Sequence, residues 1–310
     1  AQPKSSEISI LDPGCGTAIL SCALIEKLIE KKQITKIELT LFETDKKLIE
    51  KIKKVTLFLK KWLGKQNIDT KINIEYQDFI LAHTEVFNPN SLFNNKNDKK
   101  YDYIISNPPY FKISKTDIRA QVARELIYGQ PNIYTLFLGL SAKLLKPNGE
   151  LIFITPRSFA AGNYFKAFRN SFFREVSISD IHIFESRKKM FKNDKVLQEN
   201  IILRATRKVN KSIRITASES KSGLINPQSA VFNTEDLIDL NSKEKLLFIP
   251  SDKKEANVIN IFKKWNNTLN HYNIEISTGP VVAFRCLEFL TSDFPPGRQL
   301  APLLWLHNVK

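Results

Sequence analysis

The sequence predicts an α/β protein: a doubly wound, mostly parallel sheet of seven strands, with a partial extension at its C-terminal end. Short β-rich runs alternate with helical patterns through the first two thirds of the chain, the signature of parallel strands joined by crossover helices. Two of the strand-like runs, Ile8–Leu11 and Tyr101–Ser106, end at turns rich in Gly, Pro and Asn. Hydrophobic residues make up 42% of the 310 positions, enough to bury a real core.

The elements follow in order. Ile8–Leu11 is apolar and stops at Asp12-Pro13-Gly14, and Ala18–Glu30 has helical spacing with few breakers. Ile37–Phe42 reads as a second strand and Lys46–Trp62 as an amphipathic helix. Ile72–Tyr76 and Tyr101–Ser106 are the third and fourth strands, the latter ending at Asn107-Pro108-Pro109-Tyr110. The polar stretch Asn88–Lys100 between them reads as a loop. Ile133–Leu145 is helical and halts at Lys146-Pro147-Asn148-Gly149, a turn signal, before the strand Leu151–Thr155. Phe165–Phe173 is a further helix, and Ile178–Phe184 and Glu199–Arg204 complete the seven strands. Lys208–Ser222 is basic and then Ser-rich, which sets a boundary near residue 210. The sheet domain is expected over 1–210, with a linker and the start of another region over 211–310. Asn257–Trp265 is a candidate helix in that second part.

Composition narrows the function. The net charge of +15 favours a polyanionic partner, because each phosphate neutralised by Lys or Arg releases counterions. A Lys-, Ile- and Asn-rich composition of the kind an AT-biased genome yields is the other source of that charge. No apolar run reaches the roughly 18 residues of a membrane span. Cys15, Cys22 and Cys286, with His83, His182, His271 and His307, have no metal-ligand spacing, so no metal site is expected and a reduced, cytoplasmic setting fits.

In doubly wound sheets ligands sit beyond the carboxyl ends of the strands, and the suggestive residues fall at those ends. Gly14 and Gly16, just after Asp12, let backbone amides approach a ligand, or simply make a strand-to-helix turn. Glu43 ends the second strand, where such folds place an acid for ribose hydroxyls, or it begins the next helix beside Asp45. Asp78 follows the third strand and is suited to accept from an exocyclic amine of adenine, with Phe79 to stack on the ring or pack in the core. The turn lacks a third glycine and a following Walker lysine, which points away from NAD and ATP.

Asn107-Pro108-Pro109-Tyr110 is the most specific feature. An exocyclic amine conjugated to a ring is a poor nucleophile. The Asn107 amide oxygen and the Pro108 carbonyl, accepting its hydrogens together, favour a pyramidal nitrogen aimed at an electrophilic methyl. Tyr110 would stack on the base, which must leave the duplex to be reached.

Leu11–Gly16, Glu43, Asp78-Phe79 and Asn107–Tyr110 together resemble the class I, Rossmann-like methyltransferases that modify exocyclic amines. Ile154–Phe159 with Gly162 and Phe165-Lys166, then Phe184, Arg187, Phe191 and Val196–Leu203, are similar to the gamma-type adenine-N6 DNA methylases of type II restriction–modification systems. Ser277–Pro280 and Val281–Arg285 resemble the segment leading into their recognition domain, and a weaker likeness is to the branch that modifies CTGCAG. The resemblance implies S-adenosylmethionine held by Asp12, Gly14, Gly16, Glu43, Asp78 and Phe79. It implies methyl transfer to a flipped adenine at Asn107, Pro108 and Tyr110, with Phe191, or else Phe184, as a second aromatic around the base. It further implies double-stranded DNA as partner and functional association with a cognate restriction endonuclease. Lys112, Arg119, Arg157 and Arg187 are candidate DNA contacts, with Lys115, Arg124, Lys188 and Lys189 beside them. Only seven residues precede Ile8 and the chain stops at Lys310, so a truncated product without the cofactor-closing segment and most of the recognition domain is expected. The competing readings are a protein-glutamine or rRNA methylase sharing the same turn, and a non-catalytic DNA-binding remnant.

Overall fold

A computed structural model of the chain describes residues 6–30, 34–87, 99–184, 199–218, 227–251, 253–265, 267, 269–274, 288 and 290–291. The strands are β1 (Glu7–Asp12), β2 (Lys36–Phe42), β3 (Asp69–Glu75), β4 (Tyr101–Ser106), β5 (Leu145–Pro156), β6 (Ser177–Phe184), β7 (Asn200–Thr206), β8 (Ser212–Ser218) and β9 (Gln228–Asn233). Helices α1 (Ile19–Ile29), α2 (Ile49–Gly64), α3 (Ile118–Val122), α4 (Ile133–Lys143), α5 (Lys166–Glu175), α6 (Thr234–Leu237) and α7 (Lys253–Lys263) connect or follow them.

The strands form one sheet in the order β3-β2-β1-β4-β5-β7-β6-β8-β9. From β3 to β5 the pairing is parallel, and β7 runs antiparallel between β5 and β6. Strand order reverses between β1 and β4, which opens a crevice at their carboxyl ends. Alternation along β1 explains why both faces are covered. Ile10 joins a cluster with Ile25 and Leu28 of α1 and Ile52 and Leu59 of α2. Leu11 joins a second cluster with Leu136, Phe137 and Leu140 of α4 and Phe168 and Phe172 of α5. Helix α4 is buried over ten of its eleven residues, so its sequence is apolar on every side.

The sheet has nine strands among the described residues, not the seven expected from the sequence. Strands β8 and β9 continue it through the stretch read as a boundary. Ile213, Ile215 and Ala217 point into the core while Arg214 and Thr216 face away, a period-two pattern too short to stand out beside the basic and Ser-rich residues. Arg214 also completes a charge ladder across four strands. Glu150 on β5 pairs with Arg204 on β7 at 2.9 Å, Arg204 with Asp180 on β6 at 3.1 Å, and Asp180 with Arg214 on β8 at 2.5 Å. Strand β5 begins at Leu145, so the Lys146–Gly149 turn signal is an irregularity inside the strand rather than a break before it. The register with β4 jumps from Tyr101–Leu145 to Tyr103–Glu150, and Asn148 takes a left-handed φ of 63°.

The chain divides into two compact units, Ala1–Phe262 and Lys263–Lys310. Within the first, a strap after α6 is tied down by the fully buried Arg169 of α5. Its guanidinium donates to the carbonyls of Phe159, Gly162 and Glu244 at 3.0, 2.8 and 2.8 Å. The Leu247 amide donates to the Ala160 carbonyl at 2.9 Å. No helix among the described residues is long and apolar enough to cross a membrane.

Candidate active site

The crevice at the carboxyl ends of β1–β4 is a cleft of about 410 Å³. Gly14, Gly16, Glu43, Asp78, Phe79 and Asn107 all line it, although they are spread over four separate turns. Phe42, Phe111, Arg119, Ile133 and Phe137 complete its walls.

The turn after β1 is held by the backbone. Gly16 takes φ 53°, in the left-handed region that favours glycine. Ala18 at the head of α1 takes φ 62° without that freedom, a conformation that costs an L-residue roughly 1–2 kcal/mol. No side chain caps α1, so its first amides are left for other acceptors. Glu43 ties this turn to the tip of β2. One carboxylate oxygen accepts the Gly16 amide at 2.9 Å, and the other accepts the amides of Thr44 at 2.8 Å and Asp45 at 2.9 Å.

Asp12 does not face the cleft, contrary to its expected place among the cofactor contacts. It is 1% exposed, and its Oδ2 accepts the Ser21 hydroxyl of α1 at 2.7 Å. Burial pushes its carboxyl up to about 7, against the pull of the Ser21 and Gly14 hydrogen bonds. Its part is to brace the turn from beneath.

Asp78 caps the segment that follows it: Oδ1 accepts the amides of Ile80 at 2.8 Å and Leu81 at 3.1 Å. That leaves Oδ2 towards the cleft, 3.6 Å from Nη1 of Arg119. Phe79 reaches the cleft floor but is 1% exposed, with Phe42, His83 and Phe137 around it at ring-centroid distances of 5.4, 5.0 and 5.3 Å. With its faces taken it serves the core, and the stacking expected of it needs another ring. Phe111, 46% exposed on the cleft wall, is the aromatic with free surface there. Sequence reasoning passed over it, although its place directly after Tyr110 was the available signal.

Asn107 is exposed at the mouth of the cleft, with Pro108 buried behind it. The Tyr110 hydroxyl is shared between the Asn107 Oδ1 and, at 3.0 Å, the Ile154 carbonyl of β5. The Tyr110 ring is half-buried, set edge-on to Tyr134 at 6.2 Å, and does not line the cleft. Burial pushes its phenol well above the usual range, so the hydroxyl stays a donor at neutral pH.

The candidate DNA contacts separate. Lys112 is exposed just after the turn. Arg119 is not a free surface cation: it lines the cleft, with Nε and Nη2 forked onto the Asp117 carboxylate at 2.9 and 2.6 Å. Arg157 is likewise engaged, with Nη2 on the Ile249 carbonyl at 2.7 Å and Nη1 3.7 Å from Glu199, beside a separate cleft of about 580 Å³. Arg187 and Phe191 lie outside the described residues, as do Lys188 and Lys189. Phe184 ends β6, edge-on to His182 at 4.8 Å. Among the described residues no group of His, Cys, Asp and Glu side chains is placed to hold a metal ion.

Residues 24–191 match the Eco57I restriction-modification methylase family, a stretch that includes Glu43, Asp78 and the Asn107–Tyr110 turn. The chain belongs to this family. It is 33% identical to the type II methyltransferase M.BsuBI of Bacillus subtilis over 98% of this chain, covering 59% of that protein. It is 30% identical to the type II methyltransferase M.PstI of Providencia stuartii over 96% of this chain, covering 60% of that protein. The chain thus spans about three fifths of the length of these curated relatives. A Listeria monocytogenes structure assigned to the class I S-adenosylmethionine-dependent methyltransferases superimposes with a TM-score of 0.52. It is 21% identical and covers 70% of this chain and 60% of that one, a likeness of fold. The Eco57I-type membership does not favour the protein-glutamine or rRNA alternatives.

Proposed function

We propose that this chain carries the catalytic part of a site-specific DNA adenine-N6 methyltransferase that uses S-adenosylmethionine and protects DNA from a cognate restriction enzyme. The observation that carries the reading is convergence: four turns distant in sequence bring Gly16, Glu43, Asp78 and Asn107 around one cleft. The cleft volume lies within the range of about 300–1,000 Å³ usual for small-molecule sites. Two carboxylates and a tight glycine turn suit a nucleoside with vicinal hydroxyls and an exocyclic amine. Glu43 would meet the ribose, Asp78 Oδ2 the adenine amine, and Phe111 with Phe42 and Phe137 the apolar faces. S-adenosylmethionine supplies the electrophile, a methyl on a sulfonium that departs as a neutral thioether.

Asn107 and Pro108 orient the target. Their carbonyl oxygens accept the two amine hydrogens of the extruded adenine, so that its lone pair points into the cleft. The amine nitrogen gains the methyl and releases one proton to solvent. Tyr110 holds the Asn107 amide through its hydroxyl and offers its uncovered ring surface to the base, with Phe191 proposed for the other face. Lys112 and Arg187 remain the proposed phosphate contacts, and the part of 211–310 beyond the sheet the proposed way into a target-recognition region. Family membership and the M.BsuBI and M.PstI relatives support DNA as the substrate, and the sequence likeness to the CTGCAG branch makes that the first site to try.

Incubation with methyl-tritiated S-adenosylmethionine and CTGCAG-bearing duplex, followed by nucleoside analysis, tests the reading. Label in N6-methyldeoxyadenosine is expected. Label in cytosine, RNA or protein would overturn the substrate assignment.

A further inference from the structure

Arg119 was a candidate phosphate contact from sequence, and its surroundings point elsewhere. Its side chain is 25% exposed and sits among carboxylates. The two nitrogens of one guanidinium edge are bound to Asp117 at 2.9 and 2.6 Å, and Asp117 is itself fixed as the cap of α3 through the Arg119 amide at 2.9 Å. This fork fixes the rotamer, because swinging out to a phosphate would break both charge-assisted bonds. The remaining nitrogen, Nη1, stands 3.6 Å from Asp78 Oδ2. That separation is beyond a hydrogen bond but close enough for strong attraction. Asp78 Oδ1 is already occupied by two backbone amides. Oδ2 is therefore the oxygen left for a ligand, held from one side by a cation that does not use up its lone pairs.

We propose that Arg119 is a positioning residue for cofactor binding: anchored by Asp117, it holds the Asp78 carboxylate aimed at the amine of the nucleoside. The inference rests on the reading of the cleft as the S-adenosylmethionine site. It assigns the segment after the catalytic turn to the adenine end of the cofactor rather than to DNA. Asp117→Asn is expected to act in the same direction through Arg119, since the fork would lose one of its two acceptors.

The test is calorimetric titration of the chain with S-adenosylhomocysteine, alongside steady-state methyl transfer. Arg119→Met is expected to weaken S-adenosylhomocysteine binding about tenfold, the size of one charge-assisted interaction. Arg119→Lys is expected to recover part of that loss. On an Asp78→Asn background Arg119→Met should add little, because the group it positions has lost its charge. The KM for S-adenosylmethionine should rise while kcat at saturation and the KM for DNA hold. Binding unchanged in Arg119→Met, or a raised KM for DNA with a flattened salt dependence, would overturn the proposal and return Arg119 to the phosphates. Full additivity with Asp78→Asn would also overturn it. Should Arg119→Met fail to fold, the Arg119→Lys and Asp117→Asn measurements decide by the same criteria. A parent chain that binds no S-adenosylhomocysteine would instead defeat the cofactor reading itself, a distinct result.

Discussion

Glu43→Gln probes how one carboxylate serves the fold and the ligand together. Each of its oxygens has work. One accepts the Gly16 amide, linking the β1 and β2 tips across 27 residues, and the other accepts the amides of Thr44 and Asp45. A glutamine keeps one acceptor oxygen and turns the other position into a donor. Keeping the Thr44 and Asp45 bonds sets its NH₂ against the Gly16 N–H, donor facing donor. The lost bond is part-buried, so the low end for a charge-assisted bond applies, about 1.5 kcal/mol. Keeping the Gly16 bond instead sacrifices two exposed bonds, a comparable loss of about 1–2 kcal/mol. Either way the melting temperature should fall by about 3–5 °C. S-adenosylhomocysteine affinity should fall by tenfold or more, because the β1 turn loosens and the ribose hydroxyls face one acceptor fewer. Differential scanning fluorimetry with and without ligand separates the two effects. A melting point within 1 °C of the parent would refute the structural half of this reasoning. Unchanged affinity would refute the ribose assignment.

Four further expectations follow from single contacts. Asp12 has a folded-state pKa raised from 3.8 to about 7, so the folded chain holds more protons than the unfolded one between those values and this group's contribution to stability declines as pH rises through that window. In Asp12→Asn that decline should vanish, seen as a gain over the parent at pH 8 relative to pH 4.5 in thermal melts; parallel pH curves would contradict it. Asn107→Ala should cut single-turnover methyl transfer by about 10²-fold or more while S-adenosylhomocysteine binding stays within a few-fold, and turnover within a few-fold of the parent would remove Asn107 from the chemistry. Tyr110→Phe deletes only the hydroxyl that holds Asn107 and should slow the transfer step about five- to tenfold with little change in stability, read in rapid-quench assays. Arg169→Leu strips donors from three carbonyls and should cost roughly 3 kcal/mol in urea unfolding, with new proteolytic cleavage in the strap at 243–249.

The first four strands and the helices α1, α2 and α4 were legible because each carries its own signal. The apolar run before Asp12, the helical spacing from Lys46 to Trp62 and the strand that stops before Asn107 are all local patterns. Convergence of Gly16, Glu43, Asp78 and Asn107 was legible for a topological reason: parallel strands deliver all their carboxyl ends to one edge. What a local pattern cannot carry is which way a side chain turns once it is there. Asp12 and Gly14 are two residues apart, yet Ser21 draws the Asp12 carboxylate under the turn while Gly14 faces the cleft. Phe79 is followed by a turn that folds His83 back onto it, at a distance of 5.0 Å. Arg157 looked like a surface cation because its partners arise from tertiary folding, and Arg119 because its pairing combines a local fork onto Asp117 with a distant carboxylate. Asp78 lies 41 positions from Arg119, and the Ile249 carbonyl 92 from Arg157. Strands β8 and β9 were hidden because their apolar residues are few and they extend a sheet beyond the seven strands the local patterns supply.

The most direct test of the central claim is a crystal structure of the chain with sinefungin, which carries an amine where the transferable methyl would be. The account predicts the analogue in the cleft at the β1–β4 tips, its ribose at Glu43, its adenine amine at Asp78 Oδ2 and its own amine directed toward Asn107. Sinefungin bound beside Arg157, or bound in the cleft with its amine turned away from Asn107, would contradict it.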